Sequence, residues 1–344
     1  MVSAPGRTAA SARAEARPGG APVARGGVRW PYPRPVALAN RSTAAYEGAM
    51  PMTIHRAVVA RVQPLTATMT RVTLHGEGLA GFESTGVGDE YIRLFFPHGP
   101  DRTDLSLPLT TEKGWETPEG RPVAPMRTYT VRAVRPESRE VDVDFVLHDH
   151  GVASTWVAGA RPGDVIGVND PTGLYSPPAD LAWQVLIADQ TGLPAVARLV
   201  ENTPDEVATR AVVELPGPEA VQPLPGTKVT WTYGGNGHGA SRLAELVSAA
   251  IPPGTDMTGG YVWVAGETNA LRAVRRYLRK ELGLPATRFK VVGYWIPDAD
   301  SWNERYEALP DSVRAELVAL WDNPVGDEED LTIRYEARLS DLGL

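Results

Sequence analysis

The chain has 344 residues, 42% of them hydrophobic, a length that allows two domains of ordinary size, each with its own core. It contains no Cys, which excludes disulfides, cysteine-based zinc or iron-sulfur sites and a cysteine nucleophile, so redox chemistry would need a bound cofactor. The sequence has no apolar run long enough to span a membrane, and its N-terminus lacks the apolar core of a secretory signal peptide. We therefore expect a cytoplasmic protein without membrane insertion.

Residues 1–49 differ from the rest of the chain in charge and composition. They carry seven Arg against Glu15 and Glu47, so the formal charge of −8 becomes about −13 for the remainder. They are rich in Ala, Pro and Gly without an apolar period, which predicts a disordered basic tail. Such an arm can contact nucleic acid or a membrane, but a solvated extension is the simpler interpretation, and we expect no nucleic-acid partner.

Short alternating segments predict an antiparallel β-domain over residues 50–175. Turn residues separate these segments, a spacing typical of a sandwich or barrel. The expected strands are His55–Val62, Met69–His75, Glu90–Phe96, Met126–Val134 and Val141–Leu147, and the one expected helix is Val152–Ala158.

Strands then alternate with helices over residues 176–296, which predicts an α/β domain with a mostly parallel sheet and ligands beyond the carboxyl ends of its strands. The expected strands are Gln184–Asp189, Ala211–Glu214, Val229–Tyr233, Tyr261–Ala265 and Phe289–Trp295, and the expected helices are Leu193–Asn202, Ala240–Ala250 and Thr268–Leu282.

Residues 297–344 predict an acidic helical extension, with helices near Trp302–Leu309 and Pro310–Trp321. Trp302, Tyr306 and Trp321 need burial, so we expect this extension to dock on the rest of the chain.

The segment Arg127-Thr128-Tyr129-Thr130-Val131-Arg132 carries two guanidiniums, two aliphatic hydroxyls and a phenol ring on one predicted strand. Alternate side chains of a strand share a face, so Arg127 and Tyr129 point one way and Thr128, Thr130 and Arg132 the other. This combination suits a flavin, and an ordinary strand rich in β-branched residues is the alternative.

A second segment, His148 to Trp156, is suited to phosphate. Gly151 opens a helix whose first N–H groups are unpaired, and Ser154 and Thr155 add hydroxyl donors. An ordinary helix entry is the alternative. His148 and His150 share a strand face, but without Cys or a third His nearby we expect no metal site.

Two further turns follow predicted strands. Asp189 to Ala195 joins a buried strand to a helix and exposes backbone donors at Thr191 and Gly192, although a tight turn with Pro in the first helical turn needs no ligand. Gly235-Asn-Gly-His-Gly-Ala240 is a relaxed dinucleotide fingerprint that follows the third strand instead of the first, which favours a plain glycine-rich loop.

Taken together, the chain resembles the siderophore-interacting protein family, flavoprotein ferric-siderophore reductases of the ferredoxin-reductase superfamily, over roughly residues 54–295. The matching text is Leu65–Leu74 with Gly76–Leu79, Asp89–Pro97, Arg127–Arg132, Asp189–Ala195, Trp263–Glu267 and Gly293–Trp295. The resemblance implies an N-terminal antiparallel FAD-binding β-barrel, a Rossmann-like α/β NAD(P)H-binding domain and, here, a C-terminal helical extension.

The resemblance also implies site residues. Tyr129 would stack on the flavin ring, Thr130 would approach its reactive nitrogen and Arg127 would hold the FAD diphosphate. Gly266 and Glu267 would lie where a nicotinamide nucleotide enters. The remaining expected FAD contacts are Thr128, His148, Gly151, Val152, Ala153, Ser154, Thr155, Asp189, Thr191, Tyr294 and Trp295.

The chain departs from the family pattern at two places. Ile296-Pro-Asp298 follows Gly-Tyr-Trp where the family usually has a basic residue, and Ala188-Asp-Gln-Thr-Gly192 replaces the common Gly-Asp-Glu-Thr-Ala. The first departure bears on the positive charge of the substrate pocket. The second exchanges an acidic side chain for an amide, which bears on cofactor preference or flavin potential.

The expected function is flavin-dependent reduction of a ferric siderophore to release Fe(II), with NADH, NADPH or reduced ferredoxin as donor. Hard oxygen donors of the siderophore hold the iron, so the protein need not ligate it. Ferric catecholates are anionic, and Arg93, with Arg288 and Lys290 behind it, is expected to attract them, an exposed strand charge being the alternative for Arg93. A general NAD(P)H:flavin or ferredoxin-type reductase and a non-catalytic siderophore binder are the alternative functions.

Overall fold

The structure is a computed structural model that describes residues 53–99, 102, 104–111, 114–116, 119–122, 124–149, 151–322 and 325–344. The predicted tail at 1–49 and His150 lie outside these ranges. The described residues form an antiparallel β-domain, a parallel α/β domain and a helical C-terminal segment.

The β-domain contains nine strands and one α-helix, α1, Val152–Ala158, among its described residues. The strands are β1 Ile54–Thr66, β2 Met69–His75, β3 Tyr91–Phe95, β4 Leu109–Thr111, β5 Gly114–Glu116, β6 Met126–Thr130, β7 Ala133–Arg135, β8 Glu140–Val146 and β9 Val165–Asn169. Seven of them form one sheet in the order β6-β3-β9-β1-β2-β8-β7, and β4 pairs with β5 alone. Alternate apolar residues such as Val59, Val72, Val143 and Ile166 fill a core under this sheet.

The predicted strand Met126–Val134 is wrong as a single element, because the chain leaves the sheet between β6 and β7. The Val131 N–H donates to the carbonyl of Glu90 (2.9 Å), and the Arg132 N–H donates to the carbonyl of Asp142 on β8 (2.9 Å). These two bonds redirect the backbone, so the chain passes from the β3 side of the sheet to the β8 side within two residues.

The second domain is a five-stranded parallel sheet in the order β12-β11-β10-β13-β14. Its strands are β10 Trp183–Asp189, β11 Ala208–Leu215, β12 Lys228–Tyr233, β13 Gly260–Glu267 and β14 Phe289–Trp295. Its helices are α2 Leu193–Asn202, α3 Leu243–Ala250 and α4 Thr268–Arg276, and a π-helical turn at Tyr277–Glu281 interrupts the predicted helix Thr268–Leu282. The strand order reverses between β10 and β13, because β11 and β12 extend the sheet on one side and β13 and β14 on the other, and ligands bind at such a point in these folds.

Alternate residues of β10 fill two cores. Leu186 and Ala188 face one side, and Val185 and Ile187 face the other. The first core also includes Met69 of β2, so the two domains share apolar contacts. The carboxyl ends of the parallel strands (the carboxyl edge) lie against the antiparallel sheet, because Gln190, directly after β10, donates to Thr68 Oγ1 (2.5 Å).

The C-terminal segment contains helices α5 Ala299–Glu307, α6 Asp311–Asp322 and α7 Glu328–Asp341. Trp302, Leu317 and Tyr335 form its buried core, with Tyr306 and Trp321 packed against them, so the predicted aromatic residues are covered within the segment itself. Arg275 of α4 donates to the Val291 carbonyl on edge strand β14 (2.8 Å) and also pairs with Glu336 of α7. Helix α7 therefore covers the free edge of the sheet.

Candidate functional site

The predicted flavin strand is β6, at one edge of the antiparallel sheet. It pairs with β3, and this register places Thr128 opposite Arg93 and Thr130 opposite Tyr91. The half-buried Tyr129 packs its ring against Phe145 of β8 at a centroid distance of 4.4 Å. The Arg127 guanidinium is half-buried and donates to the carbonyl of Met126 (2.8 Å). The contact between Tyr129 and Phe145 shows that the sheet curls until β6 meets β8.

The predicted phosphate turn has the geometry of a cradle. Gly151 adopts φ 96°, a conformation that favours glycine, and caps α1. In this turn Ala153 is buried, Val152 half-buried and Thr155 exposed, and a Cβ on Gly151 would lie 3.3 Å from the ring of the exposed His148. Ser154 is 5% exposed and its Oγ has no hydrogen-bond partner among the described residues. A buried hydroxyl of this kind needs a partner, so this turn fits a polar ligand group.

Asp189 organises the carboxyl edge of the parallel sheet. It is 1% exposed, and burial raises the pKa of its carboxyl group. Its Oδ1 accepts from the N–H (2.9 Å) and the hydroxyl (2.6 Å) of Thr191, and its Oδ2 accepts from the Trp295 indole N–H (2.7 Å). The backbone N–H of Glu267 also donates to this carboxylate. Asp189 therefore holds the ends of β10, β13 and β14 together.

Two more carboxylates lie at this edge. Burial raises the pKa of Glu214, which accepts from Ser241 Oγ (3.0 Å) and the Arg242 N–H (2.9 Å). Burial, together with Asp189 and Glu214, also raises the pKa of Glu267. Glu267 is half-buried beside Trp295 in the β13–β14 register, and no described residue hydrogen-bonds its carboxylate.

The glycines at this edge permit close approach. Gly266 has φ 152°, and a Cβ there would lie 2.5 Å from Asp189 Oδ2. A Cβ on Gly235, in the glycine-rich loop, would lie 2.7 Å from the Glu214 carboxylate. The loop thus packs on Glu214, and Asn236 of the same loop accepts from the Gln190 N–H (2.9 Å).

The flavin strand and the carboxyl edge meet at Thr130 and Tyr294. The two hydroxyls are neighbours, and Thr130 is only 6% exposed. Burial raises the pKa of the Tyr294 phenol. The Tyr294 ring packs edge-on against Trp263, whose indole N–H donates to Asp89 of the β-domain (2.8 Å). The predicted sites of the two domains are therefore contiguous.

The three predicted substrate cations do not assemble there. Arg93 is 7% exposed, so the alternative of an exposed strand charge is wrong. Arg288 pairs with Asp180 (2.8 Å) just before β14, at the opposite end of that seven-residue strand from Trp295, roughly 20 Å away. Lys290 pairs with Glu328 of α7 (3.5 Å). The structure separates Arg288 and Lys290 from the carboxyl edge.

Several residues that join the domains were missed by sequence reasoning. Arg198 of α2 is buried, pairs with Glu90 (2.7 Å) and donates to the carbonyl of Val131 (2.8 Å), directly after the flavin strand. Gln190, the amide that departs from the family pattern, donates to Thr68 Oγ1 (2.5 Å). Only the position of Gln190 in a quoted motif could have signalled its role, because the other partners are far apart in sequence.

The antiparallel domain has a turn suited to a polar ligand group. It packs against a parallel sheet whose carboxyl edge is the usual ligand-binding end of such folds. Together they define a two-domain flavin-dependent oxidoreductase. A family model for the siderophore-interacting FAD-binding domain matches residues 58–175, and the model for the siderophore-interacting protein family matches residues 181–298. The chain belongs to the siderophore-interacting protein family, which confirms the resemblance.

Relatives and solved structures agree with this assignment. The chain is 33% identical over 244 residues to the NADPH-dependent ferric-chelate reductase of Escherichia coli, covering 69% of this chain and 91% of the relative. It is 28% identical over 242 residues to the ferric vibriobactin reductase ViuB of Vibrio cholerae, covering 68% and 86%. A siderophore utilization protein from T. fusca superposes with a TM-score of 0.63 at 32% identity, covering 73% of this chain and 95% of that one.

The described residues lack two further features. No helix there has the length and apolar character needed to cross a membrane. No group of three or more His, Asp or Glu side chains in those ranges is arranged to hold a metal ion.

Proposed function

We propose that this chain is an FAD-dependent ferric-siderophore reductase that takes its electrons from NADPH and acts in the cytoplasm. Two relatives are named as ferric reductases, and one of them as NADPH-dependent. The contact between Thr130 on the flavin strand and Tyr294 at the carboxyl edge carries the proposal. It brings a flavin ring held by one domain next to the nucleotide edge of the other.

The residues present fit FAD. In this proposal Arg127 holds the diphosphate, the turn at residues 151–155 receives it through Ser154 Oγ and backbone N–H groups, and Tyr129 supports the ring. The antiparallel sheet, curled until Tyr129 meets Phe145, is the barrel-like flavin domain. When bound, FAD supplies the conversion of a two-electron donor into single electrons for Fe(III).

The second domain would receive the electron donor. Thr191, Gly266 and Glu267 lie at the carboxyl ends of β10 and β13, where the sheet order reverses. Close packing at Gly266 leaves no room there for a larger side chain. NADH or reduced ferredoxin is the alternative donor, and anaerobic mixing with each donor while following flavin bleaching distinguishes them.

A general flavin reductase and a non-catalytic siderophore binder are the competing functions. A ferric-siderophore reductase releases Fe(II) to a trap such as ferrozine over many turnovers. A binder shows saturable siderophore affinity with at most one turnover. A general reductase would reduce free flavin or ferredoxin at least as well as the ferric complex.

Arg127→Ala tests the assignment of the flavin site. Loss of a charge-assisted contact to the diphosphate should weaken FAD binding about 10- to 100-fold without unfolding the protein. Arg161→Ala, a change of the same size at an exposed position, should leave FAD affinity unaltered. Isothermal titration of the flavin-free proteins with FAD measures both, and equal affinities would remove Arg127 from the site.

A further inference from the structure

Gln190 joins the carboxyl edge directly to the β-domain. It follows β10 immediately after Asp189 and is 1% exposed. Its Nε2 donates to Thr68 Oγ1 in the turn between β1 and β2 (2.5 Å), and its backbone N–H donates to Asn236 Oδ1 of the glycine-rich loop (2.9 Å). The side-chain bond therefore crosses between the domains, whereas the backbone bond stays within the second domain.

The turn that contains Thr68 is coupled to the predicted phosphate turn. The Leu147 N–H, directly after β8, donates to the Thr68 carbonyl (2.9 Å), and Gly151 lies four residues further along the chain. Leu65 and Val146, beside the two ends of this bond, pack against the apolar core of the second domain. The bond across the domains thus ends at the part of the β-domain that leads into the turn proposed to receive the FAD diphosphate.

A second group of contacts joins the domains at another place. Arg198 of α2 pairs with Glu90 (2.7 Å), and the Trp263 indole N–H of β13 donates to Asp89 (2.8 Å). Both acidic residues precede β3, which pairs with the flavin strand β6, whereas the turn with Thr68 joins β1 and β2 farther along the sheet. Two separated anchors fix the angle between two domains, and a single anchor leaves them free to pivot.

The hydrogen bond has a role that the neighbouring apolar contacts cannot fill. Apolar contacts are non-directional and permit small shifts, while a hydrogen bond fixes both a distance and a direction. Motion between domains is the default unless their interface is large and apolar. The bond between Gln190 and Thr68 is therefore the contact that sets the angle on the β1–β2 side of the interface.

We infer that Gln190 is a positioning residue for electron transfer from the nicotinamide donor, because its bond to Thr68 sets the angle at which the carboxyl edge presents that donor to the flavin. The inference rests on the proposed function. In that reaction a hydride leaves NADPH, which becomes NADP⁺, and is added to the flavin, so the two rings must be in contact. A misplacement of about 1 Å in such a geometry can lower a rate on the order of 100-fold.

The test uses the full-length, FAD-loaded protein and three substitutions. Gln190→Met keeps an unbranched side chain without the amide, Thr68→Val removes the hydroxyl at nearly constant shape, and Thr68→Ser keeps the hydroxyl. Anaerobic stopped-flow mixing over a series of NADPH concentrations gives the limiting rate of flavin bleaching and the apparent Kd of NADPH separately. We expect the limiting rate to fall about tenfold in Gln190→Met and Thr68→Val and to stay within about twofold of wild type in Thr68→Ser, with the Kd unchanged.

Measurements without a nicotinamide separate positioning from a general structural role. FAD content and the rate of bleaching by dithionite, which needs no second domain, should match wild type in every variant. Amide hydrogen exchange at residues 66–68 and 147–149 should become faster in Gln190→Met and Thr68→Val, because the turn loses its bond to the second domain. The double variant should lose no more rate than either single one. Gln63→Met, at an exposed position on β1, is the control and should alter none of these quantities.

Limiting rates within about twofold of wild type in both Gln190→Met and Thr68→Val would overturn the inference. An equal loss in the dithionite rate or in FAD content would also overturn it, because the damage would then lie in the flavin site itself. The two Thr68 variants decide the matter if Gln190→Met does not fold. If neither NADPH nor NADH bleaches the wild-type flavin, the proposed function itself fails, and the inference fails with it.

Discussion

The paired exchange of Gly and Ala around Asp189 yields a sharp packing prediction. Ala188 and Gly192 stand in the reverse order to the Gly and Ala of the family pattern that the sequence resembles. A Cβ on Gly192 would lie 2.7 Å from the Cβ of Ala188 and 3.3 Å from that of Ala265. The methyl group of Ala188 therefore occupies the space that a methyl at 192 would need.

The cost of Gly192→Ala should come from this overlap alone. Gly192 has φ −86° and ψ −7°, a conformation that any residue adopts. A Gly-to-Ala substitution at such a position normally stabilises a protein by about 0.4–1 kcal/mol, because it lowers the conformational entropy of the unfolded chain. Overpacking a well-filled core costs about 1–3 kcal/mol. We expect Gly192→Ala to lower the free energy of unfolding by about 1–2 kcal/mol.

The double variant Ala188→Gly/Gly192→Ala should recover most of that loss, giving a favourable coupling energy of about 1–2 kcal/mol. Urea unfolding at fixed FAD concentration measures all four proteins of the cycle. Gly239→Ala, where a Cβ would meet nothing within 4 Å, is the control and should be neutral or stabilising. Strict additivity of the two changes, or a Gly192→Ala cost no larger than that of the control, would refute the packing account.

Two further predictions concern ion pairs. Arg198→Ala leaves the fully buried Glu90 without its cation and should lower the free energy of unfolding, measured in urea, by about 3 kcal/mol. Arg132→Ala breaks a more exposed pair between the same two domains and should lower it by under about 1 kcal/mol. Similar losses in the two variants would contradict the burial argument. The hydrogen bond from His55 to Asp170 (2.7 Å) raises the pKa of His55, so its stabilisation is complete below the unfolded pKa of about 6.5 and is lost as pH rises through the folded pKa. Stability measured from about pH 6 to pH 8 should therefore fall less steeply in His55→Gln, and parallel curves would exclude His55 as the group responsible.

Local patterns predicted most of the regular elements. The helices at Val152–Ala158 and Leu193–Asn202 have their predicted bounds, because Gly151 and the Gly192-Leu-Pro194 turn mark their starts. Strand β9, Val165–Asn169, was missed although it lies between β3 and β1. It is short and buried on both faces, so it lacks the alternation by which half-buried strands are recognised.

Helix α7, Glu328–Asp341, was missed for a different reason. Its start signal is present, since Asp327 caps the helix by accepting from the Asp330 N–H (3.1 Å), and acidic residues fill the first turn. Its apolar face is interrupted by Glu329 and Glu336, which are buried because they face Arg275. When a charged side chain is buried against a partner that is distant in sequence, the apolar residues of the helix no longer recur at helical spacing, so the sequence pattern does not indicate a helix.

The same limit explains why motifs predicted local backbone geometry better than the pairing of distant charges. Arg127, Tyr129 and Ser154 belong to segments whose backbone geometry is set locally, so their spacing alone indicates where they lie. The charge that a pocket offers depends instead on which cations are already paired, and Asp180 lies 108 residues from Arg288 in sequence. A sequence that is acidic overall but rich in Arg and Lys leaves that pairing open, and tertiary structure alone decides which charges remain for the substrate.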